Sequence, residues 1–238
     1  RQQETEFYFD ADNTLSTSKT VDGKDNYRVD LTHDSSYETE WYDYGVSRYM
    51  MCEPDEVPDR TEKDKQCLTY TTPSLTGDTE VTGYPIVEFY VSSTSDDADF
   101  YIYLEDVDED GNAVLVTEGL LRAGFAELQD NDTMINGGES NIEVLPELPW
   151  HGYEEEQYNA EIFTDNAIVK LTFDLYPTSW TFKEGHSIRV SIACADTPTF
   201  ETNEELDENT VVTIYRDAEH PSKITLPSSA SKKPPRIR

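Results

Sequence analysis

Between Val169 and Tyr176 the chain alternates. Val169, Leu171, Phe173 and Leu175 are apolar, while Lys170, Thr172, Asp174 and Tyr176 carry polar groups. A period of two places one set on each face of a strand, and a strand with one apolar face is half buried. Pro177 ends the pattern, because proline has no N–H to give to a ladder. Trp180 and Phe182 then supply large apolar area, and Lys183-Glu184-Gly185 reads as a turn. Ile188, Val190 and Ile192 alternate with Arg189, Ser191 and Ala193, which predicts a second strand. The stretch from Ala160 to Asp196 is therefore expected to be two long strands around a Trp-Phe corner.

The same signal recurs along the chain. Glu6–Phe9 and Tyr27–Asp30 read as extended. Cys67–Thr72, Val81–Gly83, Ile86–Val91, Phe100–Val107, Val114–Thr117 and Leu120–Phe125 follow one another as short strands, and Val211–Tyr215 and Lys223–Leu226 come last. Many short strands with regular turn signals predict an all-β protein, a sandwich or jelly roll, with long irregular connections. The connections are 32–66 and 126–158, and segments of that length usually cover something or carry function. The first holds Tyr37, Trp41, Tyr42, Tyr44, Tyr49, Met50 and Met51. These side chains either cover the domain's own sheet or face a partner domain, since Tyr, Trp and Met are enriched at interface cores. Asp55–Lys65, charged and interrupted by Pro58, is expected to be an exposed loop. Residues 1–227 are read as one domain. Residues 228–238 hold the one basic cluster and are expected to be a flexible end.

Composition narrows the function. A chain of 238 residues can bury a sizeable core, about 70–75% of its unfolded surface. The formal net charge is -32 with 36% hydrophobic residues, a balance that raises the question of disorder. Aromatics at 11%, placed in alternating patterns, argue for a folded chain. Such acidity repels nucleic acid and anionic membranes, so neither is expected as a partner. A saline or extracellular setting would screen the self-repulsion, and the compartment stays open between cytoplasm and exterior. No apolar run reaches the length of a membrane span, and no secretory leader is expected. Arg1 in place of methionine suggests a piece of a longer chain. The three cysteines, Cys52, Cys67 and Cys194, are no disulfide framework. Cys194 reads as a buried small hydrophobe, and Cys52 and Cys67 could pair in an oxidising compartment.

Candidate chemistry is sparse. The G-x-S-x-G turn that exposes a nucleophilic serine does not occur. Neither do a phosphate-binding glycine loop, H-E-x-x-H or C-x-x-C, so no cofactor and no metal are expected. Asp106, Asp108, Asp110 and Gly111 match the start of a calcium loop, but its twelfth position is Thr117 where a bidentate carboxylate is required. A hairpin turn on Asp-Gly accounts for them better. Asp96-Asp97 and Glu154–Glu156 are read as solvated surface. Of the four histidines, His33, His151, His186 and His220, none has a nucleophile that sequence nominates. His186 opens a strand and reads as structural. His151, in the run Pro149-Trp150-His151-Gly152-Tyr153, is the better functional candidate, and Trp150, His151 and Tyr153 are taken as cleft or interface residues.

Several blocks occur together in a telling order. They are Leu68–Leu75, Glu80–Gly83, Asp99-Phe100, Leu104–Val107 with Asp110-Gly111, and Thr117–Ala123. Leu175–Trp180, Phe182–Arg189, Ser191–Ala193 and Ala195-Asp196 follow. Over residues 5–227 this resembles the C-terminal, non-catalytic domain of the X-Pro dipeptidyl-peptidase and cocaine-esterase-like (CocE/NonD) serine hydrolases. Ser187 departs from the pattern, which usually has a second basic residue after the histidine. The resemblance implies a jelly-roll sandwich like a galactose-binding domain. It implies a partner, the α/β-hydrolase domain of the same parent chain, whose Ser-Asp-His triad lies upstream. It places no catalytic residue on this chain, and implies that the domain packs on the hydrolase and shapes its cleft. The parent would cleave an ester or an X-Pro amide. A stand-alone carbohydrate-binding module is the alternative, and self-association into a homo-oligomer stays open.

Overall fold

The computed structural model describes residues 3–18, 22–35, 58–129 and 148–230. Its elements are strands joined by turns and single-turn 3-10 segments. The first five strands are β1 (Gln3–Asp10), β2 (Thr14–Ser16), β3 (Lys24–Arg28), β4 (Leu68–Thr71) and β5 (Thr79–Gly83). The next five are β6 (Ile86–Ser93), β7 (Asp99–Val107), β8 (Ala113–Arg122), β9 (Leu128–Gln129) and β10 (Trp150–His151). Then come β11 (Val169–Asp174), β12 (Thr178–Phe182), β13 (Ser187–Ala193), β14 (Val211–Tyr215) and β15 (Lys223–Ala230).

They make an all-β sandwich. One layer is organised on β6, with β11 along one side and β14 and β15 sharing the other; β3 extends it beyond β14 and β1 beyond β15. The second layer runs β4-β13-β7-β8, all antiparallel. The short β2 joins the layers, pairing with β1 and touching β4 at Thr14–Thr71. Alternation explains what lies between them. Val87, Phe89 and Val91 of β6 and Leu171 and Phe173 of β11 face Phe100, Ile102 and Leu104 of β7 and Ile188, Val190 and Ile192 of β13. Phe89 meets Phe100 edge to face at 5.3 Å, and Phe9 stacks on Tyr70 at 4.5 Å. Each such side chain contributes about 1.5–3 kcal/mol on burial. Cys194 joins this core, as expected of a small hydrophobe.

Several details depart from the sequence reading. The Trp180–Phe182 corner is itself a strand, β12, paired with β5. Val114–Thr117 and Leu120–Phe125 are not two strands. They merge into β8 as far as Arg122, with Val116 the extra residue of a bulge opposite the Leu104–Glu105 step of β7, and Ala123–Phe125 form a 3-10 turn. The calcium-like Asp run is the β7–β8 turn: Asp108 accepts N–H groups of Asp110 and Asn112, and Gly111 sits at φ 89°. Residues 228–230, assigned to a flexible tail, continue β15 and pair with β5, because their backbone finds a ladder there. The rings and methionines of 37–51, the glycines 137 and 138, and Cys52 with its pairing lie outside the described residues.

The largest departure concerns the outer face of the second layer. Tyr101, Tyr103 and Glu105 of β7 and Ser191 and Ala193 of β13 point away from the core yet are buried. The chain covers them with 33–35, Pro58–Gln66 and the segment after Ala193. The charged Asp55–Lys65 stretch is therefore not an exposed loop in its described part. Arg60 is wholly buried and Asp64 nearly so. They are tolerated there because Arg60 Nε lies 3.2 Å from Glu105, its Nη1 donates to Ser35 Oγ at 2.6 Å, and Arg189 donates to Asp64 at 2.7 Å.

Candidate docking face

At the far end of β7 and β8, Asp97 is fully buried. This corrects its reading as solvated surface, and three donors explain it. Its Oδ1 accepts the Gly124 N–H at 2.8 Å, and its Oδ2 accepts Arg122 Nε at 2.6 Å and the Tyr158 hydroxyl at 2.8 Å. Three donors satisfy the acceptor oxygens of this buried carboxyl group, as burial requires. The consequence is positional: Asp97 fixes the turn Ala123–Phe125 and the ring of Tyr158 to one point.

From that point a stack of rings runs outward. The Arg122 guanidinium lies 5.1 Å from the Tyr158 ring centre, Tyr158 lies 4.9 Å from Phe125, and Phe125 lies 5.3 Å from Tyr153. Gly124 makes the stack fit, since a Cβ there would stand 2.2 Å from Tyr158. Tyr153, at the end, is 67% exposed, and Leu128 on β9 is 51% exposed. Single exposed apolar residues mean little, but a ring stack that ends in an exposed tyrosine is an organised surface.

Trp150 and His151 form β10, paired with β9. His151 is turned inward. Nδ1 faces Phe125 O at 2.7 Å and Nε2 faces Thr172 O at 2.9 Å, so the ring fastens the hairpin to the outer edge of β11. Trp150 is half buried, and its indole N–H is covered without an acceptor among the described residues. Of the three residues proposed from sequence, Tyr153 therefore presents its side chain to the surface, Trp150 does so in part, and His151 is a structural clip. Burial raises the carboxyl of Asp174, next to His151, above the usual range, and the nearby histidine partly offsets this. Burial also raises Asp99, beside Arg122, to about 6. Sequence reasoning missed Asp97, Arg122, Phe125 and Tyr158, which lie far apart in the chain. The one local signal was Gly124 directly after a strand.

The other histidines are equally occupied. His33 Nδ1 faces Ala195 O at 2.9 Å and its Nε2 faces Arg60 at 3.3 Å; burial, then Arg60, depresses its pKa. His186 sits on Asp106, which also accepts the Trp180 indole N–H at 2.8 Å. His220 sits on Asp217. Among the described residues no histidine ring bonds a serine, threonine or cysteine side chain. Burial pushes the Cys67 thiol up to about 12, which suppresses its thiolate. No helix among the described residues is long and apolar enough to cross a membrane.

Comparison with known proteins agrees. The model of the X-Pro dipeptidyl-peptidase C-terminal non-catalytic domain matches residues 1–225. The chain belongs to that family. A Mycobacterium bovis protein named "Putative serine esterase Mb1866c" is 34% identical over 224 residues, 93% of this chain and 33% of its own. The cocaine esterase of Rhodococcus is 30% identical over 184 residues, 73% of this chain and 27% of its own. This family domain thus spans about a third of the length of the curated relatives it matches. Solved structures share the fold. An aminopeptidase from a Thaumarchaeota archaeon superposes with a TM-score of 0.68 at 16% identity, over 96% of this chain and 37% of that one. A CocE/NonD family hydrolase from Staphylococcus aureus gives 0.63 at 20% identity, over 96% and 37%.

Proposed function

We propose that this domain is the accessory, non-catalytic part of a longer serine hydrolase. It docks on the catalytic α/β-hydrolase domain through the face carrying Leu128, Trp150 and Tyr153 and forms one wall of the substrate cleft. The observation that carries this reading is the ring stack pinned by Asp97, which ends in Tyr153 at 67% exposure, two residues past His151, whose strand partner Leu128 is 51% exposed. The matched relatives extend well beyond the shared third, so a neighbouring domain is at hand to cover it. In the parent, serine would attack an ester or amide carbonyl, with histidine as base and backbone N–H groups holding the oxyanion. This domain would supply rigidity and shape. The esterase names of the relatives favour an ester substrate.

The test has two arms. The isolated chain should hydrolyse neither p-nitrophenyl esters nor X-Pro anilides. In the full-length hydrolase, Tyr153→Asp with Leu128→Asp should lower the melting temperature and raise KM, although both side chains are at the surface. Turnover by the isolated chain, or an unchanged full-length enzyme, would refute the reading.

One observation favours a carbohydrate-binding module instead. An open groove of about 520 Å³ between the β1–β2 hairpin and the segment after β4 is lined by Asp10, Ser16, Thr17, Ser74 and Thr76 together with apolar residues such as Leu15 and Leu75. Calorimetric titration with mono- and oligosaccharides separates the readings, since the docking account predicts no heat.

A further inference from the structure

Buried polar atoms have partners, and an exception calls for a cause. On the outer face of the second layer, two carboxylate oxygens are buried with none: Asp64 Oδ1 and Glu105 Oε2. They belong to carboxyl groups gathered on one donor, Arg60 Nε, which lies 3.2 Å from Glu105 Oε1 and 3.9 Å from Asp64 Oδ1. Their sister oxygens are taken. Glu105 Oε1 accepts from Arg60 Nε at 3.2 Å, and Asp64 Oδ2 accepts from Arg189 Nη1 at 2.7 Å. Two ionised carboxylates facing each other in a buried site repel, whereas one acid and one carboxylate hydrogen-bond. We propose that Glu105 and Asp64 share one proton, carried on Glu105 Oε2 and donated to Asp64 Oδ1, and that this proton latches Pro58–Gln66 onto the sheet.

The surroundings say where the proton sits and what it controls. From the covering segment, Arg60 and Asp64 face Glu105, and the Lys63 ammonium reaches Ser35 O at 2.8 Å. From β13, Arg189 lies directly opposite Glu105 in register. Within β7, Tyr103 lies under the Arg60 guanidinium at 3.7 Å. Tyr103 donates to Asp196 at 2.7 Å, and Glu118 of β8 lies opposite Tyr103 in register. His33 and Cys67 complete the surround from their own segments, each next to Arg60. Glu105 is the more enclosed of the two side chains, 0% exposed against 6%, and its pKa is raised well above the usual range, first by burial and then by Asp64. The latch closes the neck of the long connection. Arg60 N–H donates to Ala113 O at 2.8 Å, Leu115 N–H to Pro58 O at 2.9 Å, and Arg60 Nη1 binds Ser35.

The sign follows from linkage. Glu105 carries its proton in the closed state and loses it in an open one. The stabilisation is complete below the ordinary carboxylate range and fades as pH rises toward the raised value. Hydrogen exchange read at the Arg60 amide, corrected for intrinsic rate, should lose protection about tenfold per pH unit across that window. Glu105→Gln replaces the acid with an amide that still donates to Asp64, and should make the protection independent of pH. Infrared spectroscopy of the unmodified protein with 13C-labelled glutamate should show a protonated carboxylic acid band that persists above the ordinary carboxylate range, where exposed glutamates are ionised, and is absent in E105Q. No such band, a band that persists in E105Q, or wild-type protection flat with pH would each overturn the proposal. The infrared reading of the wild-type protein decides the matter even where E105Q fails to fold.

Discussion

Two sites in this domain use the same three residue types and end in opposite states. In one, Arg60 meets Glu105 and lies 3.7 Å from the Tyr103 ring. In the other, Arg122 meets Asp97 and lies 5.1 Å from the Tyr158 ring. The Arg60 side chain is 1% exposed and the Arg122 side chain 39%. The difference lies in what covers them. The chain folds its own segments, 33–35 and Pro58–Gln66, over Arg60. Nothing among the described residues does that for the Arg122 stack, whose outer end is Tyr153. A covered site has its requirements met internally and serves the fold. An organised but open one is where a second body fits, which is why docking is assigned to the stack and not to the knot.

The contrast is sharpest at the two arginines. Arg60→Met should remove about 3–5 kcal/mol of stability, because the Asp64–Glu105 pair loses its buried cation and Glu105 Oε1 and Ser35 Oγ lose their donor. Urea unfolding read by tryptophan fluorescence measures it, and a loss under 1 kcal/mol would break the contrast. Asp97→Ala leaves Gly124 N–H, the Tyr158 hydroxyl and Arg122 without their acceptor, and should cost about 2–3 kcal/mol by the same measurement. Gly124→Ala should cost less, about 1–2 kcal/mol, by pushing Tyr158 aside, with altered aromatic near-UV circular dichroism as the check. Asp99 should titrate near 6 by carboxyl NMR, and the sign is fixed. Its folded pKa is raised by burial, so its contribution is present at low pH and fades as pH climbs through about 6. Smallest of all, Tyr153→Ala should change the stability of the isolated chain by less than about 0.5 kcal/mol.

Strand periodicity made much of the sandwich legible. Leu171, Phe173, Ile188, Val190 and Ile192 are all buried in the core, on the faces their alternation assigned. The same rule misled on β7 and β13, where Tyr103, Glu105 and Ser191 occupy the polar phase yet are buried too. Period two reports which face meets the partner layer and is silent about a loop folded over the other face. Charge misled at Arg60, Asp64 and Asp97 for the same reason: burial of an ion is decided by partners brought from elsewhere in the chain. Arg60 and Glu105 are separated by 45 residues, and Asp97 and Tyr158 by 61. The Trp150–Tyr153 run was visible as aromatic density. That His151 turns inward while Tyr153 stays out depends on Phe125 O and Thr172 O, which no local pattern announces.

Docking through the ring stack is most directly tested by hydrogen exchange, comparing the isolated chain with the full-length hydrolase in which it is proposed to lie. The account predicts slower exchange in the full-length protein at Leu128–Gln129 and across Trp150–Tyr158, with the remaining strands unchanged. Equal exchange at these segments, with slowing confined to another face, would contradict it.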